Sequence, residues 1–293
     1  MKLVIFGLGY SSQAFVRNHG HAHDITGTVR KAEKAAALAQ AGLKISQFGH
    51  GEVDETLLAA MAQAEALIVS VPPSLTGDPV LQSLGDVIQS APNLTNLIYL
   101  STVGVYGDHA GAWVDEDTVP RPVSARSIER LAAEQAWTNF ATETGKSLHI
   151  LRLSGIYGPG RSGFDKLVNG TARRIIKRDQ VFNRIHVDDI AQAIEACLHW
   201  TGAEVQIWNV TDDEPAPPQD VVSFAASLMG LPLPPEVDFE TADLTSMARS
   251  FYGENKRVSN AKMKAELRSA LLYPTYREGL ASIFKMQHAS SSF

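Results

Sequence analysis

The stretch FGLGYSSQAF, residues 6–15, decides how the fold is read. An apolar run, MKLVIF, leads into it and a helix-forming segment follows, so Gly7 and Gly9 fall at a strand-to-helix turn. Glycine permits the tight bend and lets a phosphate approach bare backbone amides at a helix N-terminus, which is the way a dinucleotide pyrophosphate is held. The usual GxGxxG spacing ends in a third glycine, and here Ser12 stands in its place. Serine is small enough for close helix and strand packing, and the hydroxyls of Ser11 and Ser12 are candidates to cap the helix or donate to phosphate. Gly7, Gly9, Tyr10, Ser11 and Ser12 are therefore the first candidate cofactor residues.

Working outward, short apolar runs at 3–6, 25–29, 67–71 and 97–100 suit strands buried on both faces of a parallel sheet. Segments rich in Ala, Leu, Gln and charge, at 31–41 and 80–89, read as crossover helices between them. The expected product is an α/β doubly wound parallel sheet. Val71 and Pro72, at the end of the 67–71 run, join the candidate cofactor residues because ligands bind at the carboxyl ends of such strands. An amphipathic pattern spans 127–144 and a strand follows at 149–153. Beyond Gly155, Gly and Pro gather in GIYGPGRSG, DEPAPPQ and GLPLPPEV. The expected division is 1–155 for cofactor binding and 156–293 for a smaller lobe, with about 181–212 returning to complete the sheet.

Composition narrows the function classes. The chain has 293 residues, 44% hydrophobic and 20% charged, with a formal net charge of −6, the balance of a soluble globular protein. Basic residues are scattered apart from Arg173, Arg174, Lys177 and Arg178, which gives no electrostatic case for nucleic acid. Cys197 stands alone, so internal disulfides and cysteine metal sites are excluded, and it reads as a small buried hydrophobe. MKLVIFG is too short for a signal peptide and no run of 18 apolar residues follows, so the expectation is a cytoplasmic protein without a membrane segment. The HGHAH run, His19 to His23, reads as a solvated loop rather than a metal site, and DED at 115–117 as a polar loop. The tail QHASSSF reads as frayed.

Cofactor choice turns on the end of the second strand. NAD sites usually carry an acidic residue there to hold the adenosine ribose. Here the sequence is TGTVRKAEK, with Arg30 and Lys31 and no acid before Glu33. A guanidinium suits a 2′-phosphate, so NADP is favoured over NAD and Arg30 is its candidate reader.

LSTVGVYGDHAGAWVDEDT, ILRLSGIYGPGR, RIHVDDIAQAI and WNVTDDEP occur in an order that resembles the extended short-chain dehydrogenase/reductase superfamily, in its NAD-dependent epimerase/dehydratase branch. The resemblance covers nearly the whole chain. It implies a Rossmann-type domain with a small C-terminal substrate lobe, and a homodimer through helices near 80–90 and 127–144. It also implies catalysis by a Tyr and a Lys four residues later, assisted by a Ser or Thr at the end of a strand. Ser101 and Thr102 match the hydroxyl position. Anchoring on RLAAEQ puts Arg130 at the Lys position and Arg126 at the Tyr position, so the chain resembles the superfamily's atypical members. Arginine stays protonated and cannot exchange a proton as Tyr does, though Arg130 is still suited to hold the nicotinamide ribose.

Tyr106, in GVYG, is a candidate proton donor beside Ser101 and Thr102. Tyr157 and Arg161, in GIYGPGR, and His186 before VDD are substrate candidates. Members that act on nucleotide sugars commonly carry an Asn where this chain has Ser154 to Ile156, and an Arg where it has Phe182. Both departures weaken a nucleotide-sugar reading. Two functions stay open: an NADP-dependent oxidoreductase or epimerase on a small polar substrate, and a non-catalytic NADP-binding sensor.

Overall fold

A computed structural model describes residues 1–49, 52–202 and 204–289 of the chain. In chain order the first half runs β1 (Lys2–Phe6), α1 (Tyr10–His19), β2 (Asp24–Val29), α2 (Ala32–Gln40), β3 (Lys44–Gly49), β4 (Glu52–Val53), α3 (Glu55–Gln63), β5 (Ala66–Val69), α4 (Pro79–Ser90), β6 (Asn96–Thr102), β7 (Trp113–Val114) and α5 (Ala125–Thr144). The second half follows as β8 (Ser147–Leu153), β9 (Gly155–Tyr157), α6 (Phe164–Val168), β10 (Arg174–Ile176), β11 (Arg184–His186), α7 (Val187–Leu198), β12 (Val205–Val210), α8 (Pro218–Leu228), β13 (Glu236–Asp238), α9 (Ser246–Phe251), β14 (Arg257–Val258) and α10 (Tyr276–Ala289).

The central sheet has the order β12-β8-β6-β5-β1-β2-β3-β4, with all neighbours parallel except β3 and β4. From β1 the chain winds outward through β2 and β3, then returns to the other side of β1 through β5, β6, β8 and β12. The winding therefore reverses between β1 and β5, and there a crevice opens at the carboxyl ends of the strands. This is the Rossmann-type α/β fold. Apolar side chains on one face of the sheet pack with Phe15 of α1 and Ile190 and Ile194 of α7. Those on the opposite face pack with Leu57 and Met61 of α3, Leu84 and Ile88 of α4, and Trp137 of α5. A separate core, including Phe164, Leu167, Ala225 and Ile283, joins α6, α8 and α10.

Local chemistry sets the helix starts. Asp54 Oδ1 accepts from Leu57 N at 2.7 Å to cap α3, and Asp78 Oδ1 accepts from Val80 N at 2.9 Å to cap α4, where Pro79 needs no donor. Ser124 caps α5, which stops at Gly145 in the left-handed conformation. No helix among the described residues is long and apolar enough to cross a membrane. Gln287 and His288 of the tail lie in α10, while residues 290–293 lie outside the described part.

Candidate dinucleotide and hydroxyl site

The turn after β1 is built by Gly7. It has φ +90, and a Cβ there would sit 3.0 Å from Val71 Cγ1 and 3.1 Å from Val71 N. Glycine thus lets β1 and the segment after β5 close on each other at the crevice. Gly7 N donates to Thr28 Oγ1 at 3.0 Å and Leu8 N to Thr28 O at 2.8 Å, which ties the loop to β2. Gly9 precedes α1 and offers no side-chain cap to its first turn, and a Cβ on Gly9 would meet nothing closer than Gly7 O at 4.0 Å. Uncapped amides beside open space fit a pyrophosphate.

Ser12 does not take the role of cap or phosphate donor set out for it. Its side chain is fully buried and donates to Gly7 O at 2.9 Å, so it closes the loop from within, as its size allows. Ser11 is also buried. Tyr10 donates to Pro159 O at 2.9 Å, and the Arg161 guanidinium lies 5.8 Å from the Tyr10 ring centroid. The GIYGPGR loop is thereby brought over the start of α1, with Arg161 beside the phosphate loop. At the end of β2, Arg30, Lys31 and Lys34 are exposed, and Lys34 Nζ donates to Leu8 O at 2.9 Å. Val71 meets the loop as described, whereas Pro72 is exposed.

The hydroxyls at the end of β6 divide into two sets. Ser101 points inward and donates to Glu134 Oε1. Glu134 is paired with Arg152, Oε2 to Nη2 at 2.8 Å, and Arg152 Nη1 donates to Tyr106 Oη at 2.9 Å. Tyr106 in turn donates to Asn209 Oδ1 at 2.7 Å and is fully buried, which pushes its phenol above the ordinary range. With donor and acceptor both engaged and no exposure, Tyr106 is an interior residue that ties β6 to β8 and β12, not a group presented to a ligand. The structure thus corrects its place as proton donor, and Ser101 is set aside because its proton is spent on Glu134.

Thr102 faces the other way. Its Oγ1 accepts from Gly104 N at 3.1 Å, leaving its proton to give. A Cβ on Gly104 would fall 2.7 Å from Ser127 Oγ and 3.4 Å from Thr102 Oγ1, so both hydroxyls close on the bare backbone of Gly104. Ser127 Oγ accepts from Ser124 Oγ at 2.9 Å, so its own proton is free for a further acceptor. Ser127 escaped the sequence reading because it sits inside ARSIER, beside the position that draws attention. The signal was the SxxS spacing at a helix start, which puts Ser124 at the cap and Ser127 on the inward face of the first turn.

Arg126 is exposed at that helix start. Arg130 Nη1 donates to Leu100 O at 2.9 Å and to Tyr99 Oη at 3.1 Å, so this nitrogen pins α5 to β6 rather than reaching a ribose. Tyr157 is buried and donates to Thr275 O at 3.3 Å, with burial raising its phenol well beyond the usual range. His186 is fully buried against the rings of Tyr157 and Tyr273, and its Nδ1 accepts from Asp188 N at 3.2 Å to cap α7. Desolvation lowers its imidazole to about 4, so it is neutral. The structure therefore places Tyr157 and His186 in the packing between the lobes, not at an accessible surface.

Two loops find structural roles. His23 Nε2 lies 2.9 Å from Glu195 Oε2 and His199 Nε2 lies 2.9 Å from Glu195 Oε1, which joins the HGHAH run to α7. Among the described residues no group of three or more His, Cys, Asp or Glu is placed to hold a metal ion. Glu116 of the DED loop accepts from Asn209 N at 2.8 Å, and so satisfies a backbone donor of β12.

A parallel sheet with a glycine loop at its switch point and hydroxyls at the same edge puts this protein in the class of Rossmann-type α/β folds. A family model described as the NAD dependent epimerase/dehydratase family matches residues 80–211. A solved structure of a functionally unknown conserved protein from Silicibacter pomeroyi DSS is 46% identical, covers 97% of this chain and 98% of that one, and superposes with a TM-score of 0.89. The protein YeeZ of Escherichia coli (strain K12) is 32% identical over 152 residues, 50% of this chain, and the chain spans 52% of that relative's length. UDP-glucuronic acid 4-epimerase from Bacillus cereus, solved in complex with NAD, is 17% identical with a TM-score of 0.74, covers 98% of this chain and 99% of that one, and shares the fold. The likeness to the NAD-dependent epimerase/dehydratase family thus rests on residues 80–211.

Proposed function

We propose that the chain is an NADP-dependent oxidoreductase or epimerase acting on a small polar substrate. The observation that carries this reading is the pair of hydroxyls, Thr102 and Ser127, brought together over Gly104 at the sheet edge that also holds the glycine loop. Bound there, the nicotinamide would exchange a hydride with the substrate. Gly7, Gly9 and the first turn of α1 would hold the pyrophosphate, and Val71 would line the crevice. Arg30, with Lys31 and Lys34, supports a 2′-phosphate, because these cations stand where a carboxylate would be needed to favour the unphosphorylated ribose. Thr102 and Ser127 each keep a proton to donate, and so would orient a carbonyl or hydroxyl oxygen of the substrate. Neither is an acid like the missing Tyr, so turnover is expected roughly 10²- to 10⁴-fold below that of an enzyme with a full proton donor.

The second reading, a non-catalytic NADP-binding sensor, is favoured by two observations. The hydroxyls of Ser101 and Tyr106 are consumed inside the protein, and Arg126 stands exposed at the position of the Tyr, suited to an anion but not to proton transfer. The two are separated by following NADPH oxidation over a panel of aldehydes, ketones and keto sugars. The enzyme reading expects turnover that falls about 10- to 100-fold in Thr102→Val while NADPH affinity holds. Tight NADPH binding with no turnover across the panel would replace it with the sensor.

A further inference from the structure

The loop between β9 and α6, residues 158–163, is fastened onto the start of α1. Tyr10 Oη donates to Pro159 O at 2.9 Å, and a Cβ on Gly158 would fall 2.5 Å from that hydroxyl and 2.8 Å from Val187 Cγ1. Glycine at 158 thus lets the loop lie against the first residue of α1 and the first residue of α7 together. Within the loop, Arg161 N donates to Gly158 O at 2.9 Å and Gly158 N to Arg161 O at 3.4 Å, so the turn that presses on Tyr10 also fixes where the Arg161 side chain begins. Its guanidinium carbon lies 5.8 Å from the Tyr10 ring centroid.

The charge of Arg161 is not spent inside the protein. Among the described residues its guanidinium makes no hydrogen bond and no ion pair, and the residue is exposed, so its donors are all available. The carboxylate near Tyr10, that of Asp188, is held by Arg17 at 2.8 Å and Asn18 at 3.0 Å. Beside this cation lies GLGYSSQ, residues 7–13, which offers backbone amides and no charged side chain. Lys34 reaches that loop at Leu8 O from the β2 side, where the adenosine ribose is expected. Arg161 stands on the α7 side, across the first turn of α1. The planar fork of a guanidinium suits two oxygens of a phosphate group, which an ammonium engages only as a point charge.

We propose that Arg161 is a dinucleotide-binding residue whose guanidinium closes over the pyrophosphate held by the glycine loop, and that Tyr10 positions the 158–163 loop as the strap that carries it. This role rests on the dinucleotide reading above, and it places Arg161 on the cofactor instead of the substrate.

The test is calorimetric titration of the full chain with NADPH, 2′-phospho-ADP-ribose and adenosine 2′-phosphate, in the native protein and in Arg161→Gln, Arg161→Lys and Tyr10→Phe. The first two ligands contain the pyrophosphate, the second lacks the nicotinamide, and the third lacks both. Arg161→Gln is expected to weaken NADPH and 2′-phospho-ADP-ribose by the same factor, about tenfold or more, with adenosine 2′-phosphate and the circular dichroism unchanged. Arg161→Lys should recover part of that loss. Tyr10→Phe keeps the ring but loses the bond to Pro159, and should weaken the same two ligands by about two- to tenfold. The proposal is overturned if folded Arg161→Gln binds all three ligands as the native chain does, if it loses NADPH alone, which would put Arg161 at the nicotinamide, or if it loses all three equally. Each of those outcomes leaves the dinucleotide reading standing, because the native chain still binds NADPH. A native chain that binds neither NADPH nor 2′-phospho-ADP-ribose overturns that reading and this role with it.

Discussion

Arg152 and Glu134 are each almost wholly buried, and the pair holds Ser101 and Tyr106 in a polar network at the core of β6, β8 and α5. Removing one member of such a pair leaves the other as an uncompensated buried charge. Glu134→Ala is expected to destabilise the fold by about 3–5 kcal/mol in urea denaturation, and a loss below about 1 kcal/mol would mean that water reaches Arg152. Asp212 gives the pH counterpart. It is 1% exposed, and burial raises its carboxyl from 3.8 to about 8 even though the nearby Arg184 charge pulls it down. The folded protein then keeps a proton that the unfolded chain releases near pH 4, so this group's contribution to stability falls as pH rises from about 4 to about 8. Asp212→Asn should therefore match the native chain near pH 4 and exceed it by several kcal/mol at pH 8, as thermal or urea unfolding at the two pH values would report. A constant difference across that range would contradict the burial argument. At this scale the sequence was least legible. Ser101, Thr102 and Tyr106 are polar residues within a few positions of one another, and which of them faces inward depends on Glu134, Arg152 and Asn209, which reach them only in the folded chain.

Among the elements, legibility followed burial. β1, β5 and β6 are covered on both faces, so each reads as a continuous apolar run. β3 was not read as a strand, because it lies next to the sheet edge and KISQFG alternates polar and apolar residues over a short span. The two- and three-residue strands β9, β10, β13 and β14 pair with distant segments and leave no local period to detect, whereas β11 reads as the strand end that opens α7. The phosphate loop was legible as glycine chemistry, but Ser12 was not legible as a loop-closing donor. ARSIER was legible as a substitution, while its consequence, a helix start that sends Ser127 toward Thr102, needed the register of α5 on β6. That register yields a test at Gly104, where any side chain would press on Ser127 Oγ at 2.7 Å. Gly104→Ala should destabilise the chain by about 1–3 kcal/mol and cut turnover more than Ser127→Ala does, because it displaces both hydroxyls. Equal activity in Gly104→Ala and the native chain would remove the Thr102 and Ser127 hydroxyls from the site.

For the whole molecule, the strand order carries the argument. The reversal between β1 and β5 opens the crevice where Gly7 meets Val71, and β6 delivers Thr102 to the same edge. A glycine loop, exposed cations at the end of β2 and the β6 hydroxyls are thus assembled by topology from segments about a hundred residues apart. The fold is shared with a protein solved with NAD, and the cations at the end of β2 are the residues proposed here to read the adenosine ribose. The central claim is that the crevice holds a phosphorylated dinucleotide. It is tested most directly by titrating the native protein with NADPH and with NADH, following reduced-nicotinamide fluorescence, and repeating both with Arg30→Asp. The expected result is NADPH binding at least tenfold tighter than NADH, with the preference lost in Arg30→Asp. Failure of the native protein to bind either dinucleotide would contradict the account.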